Sequence, residues 1–289
     1  MRLRLFHRTE YQYATPVTES VNELRLSPPT SRFQNCEAHT ILVLPACRLT
    51  QYEDLFVNRV HHFELPEPHN RLVIESRATV STRCKVDFNS LPYGYQHSDL
   101  HLHANDENCY PYLQDSTYIE RSPRIWRKAL DIQGFSTDVF QTSYQIMEYI
   151  FDNFEYDSGS TTVSTHASEV IESGKGVCQD FAHAMVALCR SIGIPARYVS
   201  GYFYDSTRAH NLRGSGASHA WVEVFIANFG WIGFDPTNNK VIDETYIILA
   251  QGRDYRDVAP VTGVYTGSGR SSMTVKVQVD RLDAPVPTS

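Results

Sequence analysis

Cys178 stands just after a glycine turn (Gly174, Gly176), at the head of a helical pattern that runs towards Ile194. If that helix starts near Val177, then Cys178, Phe181, Met185, Leu188 and Ile192 recur at spacings that keep them on one apolar stripe, so the thiol points towards the core. A thiol at a helix N-terminus also meets free amides and the helix dipole, which favour the thiolate. Nucleophilic chemistry needs a base as well. His183 is nearest in sequence, but five residues on it lies about 140° around the helix and faces away. His219 is better placed: it opens the strand pattern HAWVEVFI, after a GSGAS loop. A hairpin turning near Asn228 and Phe229 would return Asp235 to within a few residues of His219 across the ladder. A carboxylate there can accept the imidazole N–H, fix its tautomer and stabilise the imidazolium. Cys178, His219 and Asp235 thus form a candidate triad in which His219 takes the thiol proton and Asp235 orients His219.

Around this set, the backbone N–H of Cys178 is a natural oxyanion donor, and Gln179 is the candidate for a second. Asp180, in the first turn, is expected to answer the helix dipole. Trp221 and Glu223 alternate with His219 on one strand face, with Trp221 read as packing. Cys189 lies deeper on the cysteine helix and reads as a small core residue. His97, His101, His103 and Cys109 match no standard zinc spacing, so no metal is expected, and no cofactor motif is present. Gly174-Lys175-Gly176 lacks the frame of a phosphate loop, and the GSG at 267–269 reads as a turn.

The elements that must hold these residues fall into two regimes. Up to about Tyr118 the signals are those of strands, at Arg2–Arg8, Thr40–Leu44, Val57–Leu65 and Leu72–Thr82, punctuated by prolines. That spacing suggests an antiparallel sandwich or barrel. From Ser122 the period becomes helical: one helix opens on Pro123 and ends near Gly134, a second runs from about Ser136 to Asn153, and a third follows Thr165 and ends at Gly174. After the cysteine helix come strands at Ala196–Tyr204, His219–Ala227, Gly230–Asp235 and, late, Met273–Val279. The class is α+β. The expected division is a β-rich domain over residues 1–118, a core over 119–280 that includes the late strand, and a tail over 281–289.

At 289 residues with a net charge of -7, the chain offers no clustered positive surface for nucleic acid. No apolar run approaches the length of a membrane helix, and the N-terminus alternates instead of building a signal-peptide core. A cytoplasmic protein with free thiols is expected, its six cysteines showing no disulfide-like spacing.

GVCQDFAHAMVALCRSIGIPARYVSGY, SHAWVEVFI and GWIGFDPTNN together resemble the three core blocks of the bacterial transglutaminase-like superfamily, over about Thr137 to Asn239. The first hundred or so residues, including NELRLSPP, resemble the β-rich N-terminal domain that accompanies this core. One departure is at Asp54–Asn58, where Val57 stands in place of a common glycine. The resemblance implies a papain-like arrangement with Cys178 as nucleophile, His219 as base and Asp235 as third member. It also implies attack on an amide or ester carbonyl of a peptide or protein, giving a thioester resolved by water or by an amine. A cysteine-dependent amide hydrolase is the expected function; a glutamine transamidase, or a binding module on the same core, are the alternatives.

Overall fold

The computed structural model describes residues 1–205 and 218–282. Most of the GSGAS loop and nearly all of the C-terminal tail expected above lie outside the described residues. In chain order the N-terminal strands are β1 (Arg2–Leu24), β2 (Gln34–Leu44), β3 (Thr50–Glu53), β4 (Arg59–Leu65) and β5 (His69–Thr82). Two short 3-10 turns lead to α1 (Pro123–Gln133), α2 (Val139–Asn153), β6 (Glu155–Tyr156), α3 (Ala167–Ser173), β7 (Lys175–Gly176) and α4 (Cys178–Ser191). Then come β8 (Ala196–Phe203), β9 (His219–Ile226), β10 (Gly230–Asp235), β11 (Lys240–Val241) and β12 (Tyr246–Gly252), followed by α5 (Tyr255–Val258), β13 (Val261–Thr266) and β14 (Ser271–Arg281).

Strand β1 organises the first sheet, whose order is β2-β5-β1-β4-β3 with β13 and β14 also on β1. Its first half buries odd positions (Leu3, Leu5, His7, Thr9), and its second half buries even ones (Ser20, Asn22, Leu24). Because side chains alternate along a strand, that change of parity requires an irregularity. It falls where the ladder shifts between Thr18 and Val21, with Glu19 at a positive φ of 49°. The first half then pairs with β5 and β14, and the second with β4 and β13. The late strand seen in the sequence therefore belongs beside Leu3–Tyr13, not with the sheet that carries His219. An edge of β1 would otherwise present unpaired amides to solvent.

The second sheet is antiparallel, in the order β11-β10-β9-β8-β12, with α4 against it and α1, α2 and α3 around α4. The single apolar stripe expected for α4 is not what forms: every residue from Asp180 to Arg190 is buried. A helix enclosed on all sides must satisfy its polar side chains internally. His183 Nε2 accepts the Tyr255 N–H at 3.1 Å, and Arg190 donates to the carbonyls of Ala196, Gln114 and Arg253. His183 Nε2 thereby ties α4 to the start of α5, while its Nδ1 has no hydrogen-bond partner among the described residues.

Two side chains of the first half pin the outer edge of β12. The Gln34 amide donates to Ile248 O at 2.9 Å and accepts from Ile248 N at 2.8 Å. Asn58 does the same at Gln251, both bonds at 2.8 Å. Each amide imitates one residue of a neighbouring strand. Asp54 builds the turn that presents Asn58, accepting from the amides of Phe56 and Asn58, both at 3.0 Å, and from Asn58 Nδ2 at 3.1 Å. Within this turn Val57 adopts φ 62°, a left-handed conformation costly for a β-branched residue. Val57 is exposed, so little packing opposes a change. Val57→Gly is expected to stabilise the protein by about 1 kcal/mol and raise its Tm by about 2–4 °C in a thermal melt.

Candidate active site

Cys178 is the first residue of α4 and half-buried. The turn before it is held by Asp180, whose Oδ2 accepts from the Val177 N–H at 2.8 Å and from the Thr161 hydroxyl at 2.6 Å. Asp180 thus closes the helix start, as its position in the first turn led one to expect. Gly176 is needed there because a Cβ would stand 2.6 Å from Asp180 Cβ. Gly174 ends α3 in the left-handed conformation, φ 64°, with its N–H on Val170 O. Glycines therefore allow one helix to stop and the next to begin within a few residues.

His219 and Asp235 come together as the hairpin predicts. The pairing of β9 with β10 sets Phe234 opposite Val222, so Asp235 lies diagonally across from His219. His219 Nε2 donates to Asp235 Oδ2 at 2.7 Å, and both side chains are fully buried. Asp235 accepts four further hydrogen bonds: the amides of Thr237 (2.9 Å) and Asn238 (3.2 Å) on Oδ1, and Asn238 Nδ2 (2.8 Å) and the Tyr246 hydroxyl (2.9 Å) on Oδ2. Burial alone would raise its pKa, but His219 and these donors hold it below the ordinary carboxylate value. For His219, burial pulls the imidazole down, and the Asp235 charge and hydrogen bond overrule it, so its pKa is raised. The Cys178 thiol adds to the same effect. His219 Nδ1, turned away from Asp235, is buried and has no aligned hydrogen-bond partner among the described residues.

The surrounding shell is aromatic. Phe203 lies edge-on to His219 at 4.9 Å between ring centroids, with Trp221 at 6.2 Å and Tyr246 at 6.3 Å. Trp221 is fully buried and packs on Tyr246, and its indole N–H has no hydrogen-bond partner among the described residues. Gly201, opposite His219 in the ladder, leaves room for it: a Cβ there would lie 2.5 Å from the Trp221 ring. Glu223 is not part of this site. It is buried in ion pairs with Lys85 and Arg197, which overcome its burial and lower its pKa to about 2.

Two features differ from the sequence reading. The Gln179 amide donates to Val163 O at 3.0 Å, so it holds the preceding loop and is not turned to the cysteine as an oxyanion donor. Tyr246, absent from the candidates, places its hydroxyl on the same carboxylate oxygen as His219. Its strand β12 carries the apolar run YIILA, bounded by Asp243 and Gly252, a run that fits a short buried strand or a buried helix segment. Among the described residues, no three metal-ligating side chains converge. His97 bonds the Thr142 hydroxyl, and His101 bonds the Ser98 carbonyl.

Comparison with known proteins agrees with this architecture. Residues 128–236 match the transglutaminase-like superfamily, and residues 3–81 match the bacterial transglutaminase-like N-terminal region. An uncharacterised protein of Mycobacterium leprae is 32% identical over 97% of this chain and 99% of its own length. An uncharacterised Mycobacterium tuberculosis (strain H37Rv) protein is 35% identical over 96% of this chain and 92% of its own. Among solved structures, a proposed cysteine protease from Cytophaga hutchinsonii superposes with a TM-score of 0.78 at 25% identity, over 99% of this chain and 92% of that one. With relatives matched from end to end and both regions recognised in order, the chain belongs to the bacterial transglutaminase-like superfamily.

Proposed function

We propose that this protein is a cysteine-dependent amide hydrolase acting on a peptide or protein, with Cys178 as nucleophile, His219 as base and Asp235 as the group that orients it. The observation that carries the reading is the buried His219–Asp235 pair, whose other ring nitrogen is left for the thiol at the head of α4. In this mechanism His219 Nδ1 takes the Cys178 proton, and the thiolate adds to the amide carbonyl. The oxyanion forms against the helix start, where the Cys178 backbone N–H is the donor. Collapse breaks the C–N bond as His219 returns the proton to the leaving amine, giving a thioester. Water, deprotonated by His219, then releases the acid and the thiol.

A transamidase would use the same residues with an amine in place of that water. Turnover of a peptide-amide library, followed with and without a primary amine, tests the acceptor: release of acid supports hydrolysis, and amine incorporation into a glutamine peptide in its place would overturn it. All six cysteines are free, which suits the cytoplasmic location read from the sequence.

Tyr246 acts through Asp235. Tyr246→Phe removes one hydrogen bond from the carboxylate and leaves the ring packing. The expected result is a fall in kcat of about tenfold with KM unchanged, equivalent to about 1.4 kcal/mol, read from steady-state kinetics.

A further inference from the structure

Outside the proposed catalytic site, a cavity of about 570 Å³ opens between β2 and the β3–β4 hairpin. Its polar lining includes Cys36, Glu37 and His39 from β2, Gln51 from β3, and Arg59 and His61 from β4. Two of these are already committed. The Glu37 carboxylate is held by Arg2 at 2.8 Å and by the Ser81 hydroxyl. His39 is bonded at both nitrogens, Nδ1 to Ser27 Oγ and Nε2 to Ser76 Oγ, each at 3.0 Å. Because the Ser76 hydroxyl already donates to Leu26 O, it must accept from His39 Nε2–H, which leaves Nδ1 to accept from Ser27. His39 is therefore a neutral, occupied ring and no ligand for a metal.

Of the remaining four, Arg59 and His61 are the ionisable pair on β4 that is not committed. His61 Nδ1 is buried and has no hydrogen-bond partner among the described residues. Arg59 lines the same cavity and forms no ion pair among the described residues. Since Arg2 and Glu37 neutralise each other, the cavity keeps the single positive charge of Arg59. A planar guanidinium next to an unfilled imidazole nitrogen is matched by a group with two or more negatively charged oxygens.

We propose that Arg59 and His61 form an oxyanion-binding pocket in the N-terminal half, which takes a phosphate or carboxylate group. Arg59 would supply the paired donors and His61 Nδ1–H a third. The pocket is distinct from the Cys178 site and does not depend on that reading.

Proton uptake should accompany binding. His61 is held below the ordinary histidine range, by burial first and by the Arg59 charge second. The other titratable groups facing it are His39, Cys36 and Glu37. A bound anion offsets Arg59 and favours the imidazolium, so affinity should rise as pH falls, by at most about tenfold per pH unit.

The test is to titrate the full chain with inorganic phosphate, and separately with citrate, following the histidine rings by proton–nitrogen correlation NMR, with chloride as control. The expected result is a saturable shift of the His61 signals with either anion or both. The His61 titration midpoint should move up by about one unit in its presence. Response to phosphate alone or to citrate alone would identify which group is taken. Arg59→Gln should remove the response while circular dichroism is unchanged, and Arg59→Lys should leave a weaker one. No saturable shift with either anion at millimolar concentration overturns the proposal. So does a response that chloride reproduces or that persists in Arg59→Gln.

Discussion

Cys178→Ala is expected to reduce turnover of a peptide amide by about 10⁴-fold or more while leaving the fold intact. The side chain is half-buried at a helix start, and alanine suits that position, so stability should change little. The other five cysteines make the measurement clean. Burial raises the thiol pKa at Cys36, Cys47 and Cys84, and pushes Cys109 and Cys189 up to about 12. An electrophilic probe used at neutral pH should therefore label one site, and mass spectrometry should find it at Cys178 in the wild type and nowhere in the variant. Labelling of equal extent in Cys178→Ala would sink the assignment of the nucleophile.

Asp235→Asn should have the second largest effect, a loss in kcat of about 10³- to 10⁴-fold with the substrate KM little altered. The substitution keeps the shape but removes the charge that overrules the burial of His219. The imidazole then loses its reason to hold a proton, and its preferred tautomer can change. The pH dependence gives an independent readout. With Asp235 present, the raised His219 pKa means that the ion pair's contribution to stability is fully present below the ordinary histidine value. It is lost as pH rises through the raised value. The lowered Asp235 pKa means its own contribution is present above the ordinary carboxylate value and fades as pH falls through the lowered one. The contribution of this pair should therefore be flat between about pH 4 and 6.5 and fade on either side, and that part of the pH dependence should vanish in Asp235→Asn when melts are compared from acid to alkaline pH. An unchanged alkaline limb would remove Asp235 from the proposed role.

Particular residues explain how much of this was legible beforehand. The caps were readable because they are local: Ser122 accepting from Ile125 N–H, Pro123 at the first helical position and Gly134 at the end of α1 depend only on near neighbours. The hairpin that joins His219 to Asp235 was readable for the same reason. Strands β3, β6, β7, β11, β12 and β13 are not among the strands expected from the sequence, and with β12 goes Tyr246. A two- or four-residue strand carries no period, and YIILA reads equally as buried helix or buried strand until its neighbours are known. The enclosure of α4 was also hidden, because its amphipathic spacing is compatible with burial on one side or on all. Gln179 departs from its expected place because a side-chain amide goes to the acceptor the loop offers, and Val163 O is distant in sequence.

The return of the last strand to the first has a consequence for biosynthesis. Residues Leu3–Tyr13 are synthesised long before their partners Ser271–Arg281. At about 5–20 residues per second, that half of β1 lacks one partner for roughly 13–50 s, even after β5 has docked on its other side. The first sheet thus keeps an open edge until Ser271–Arg281 have been made.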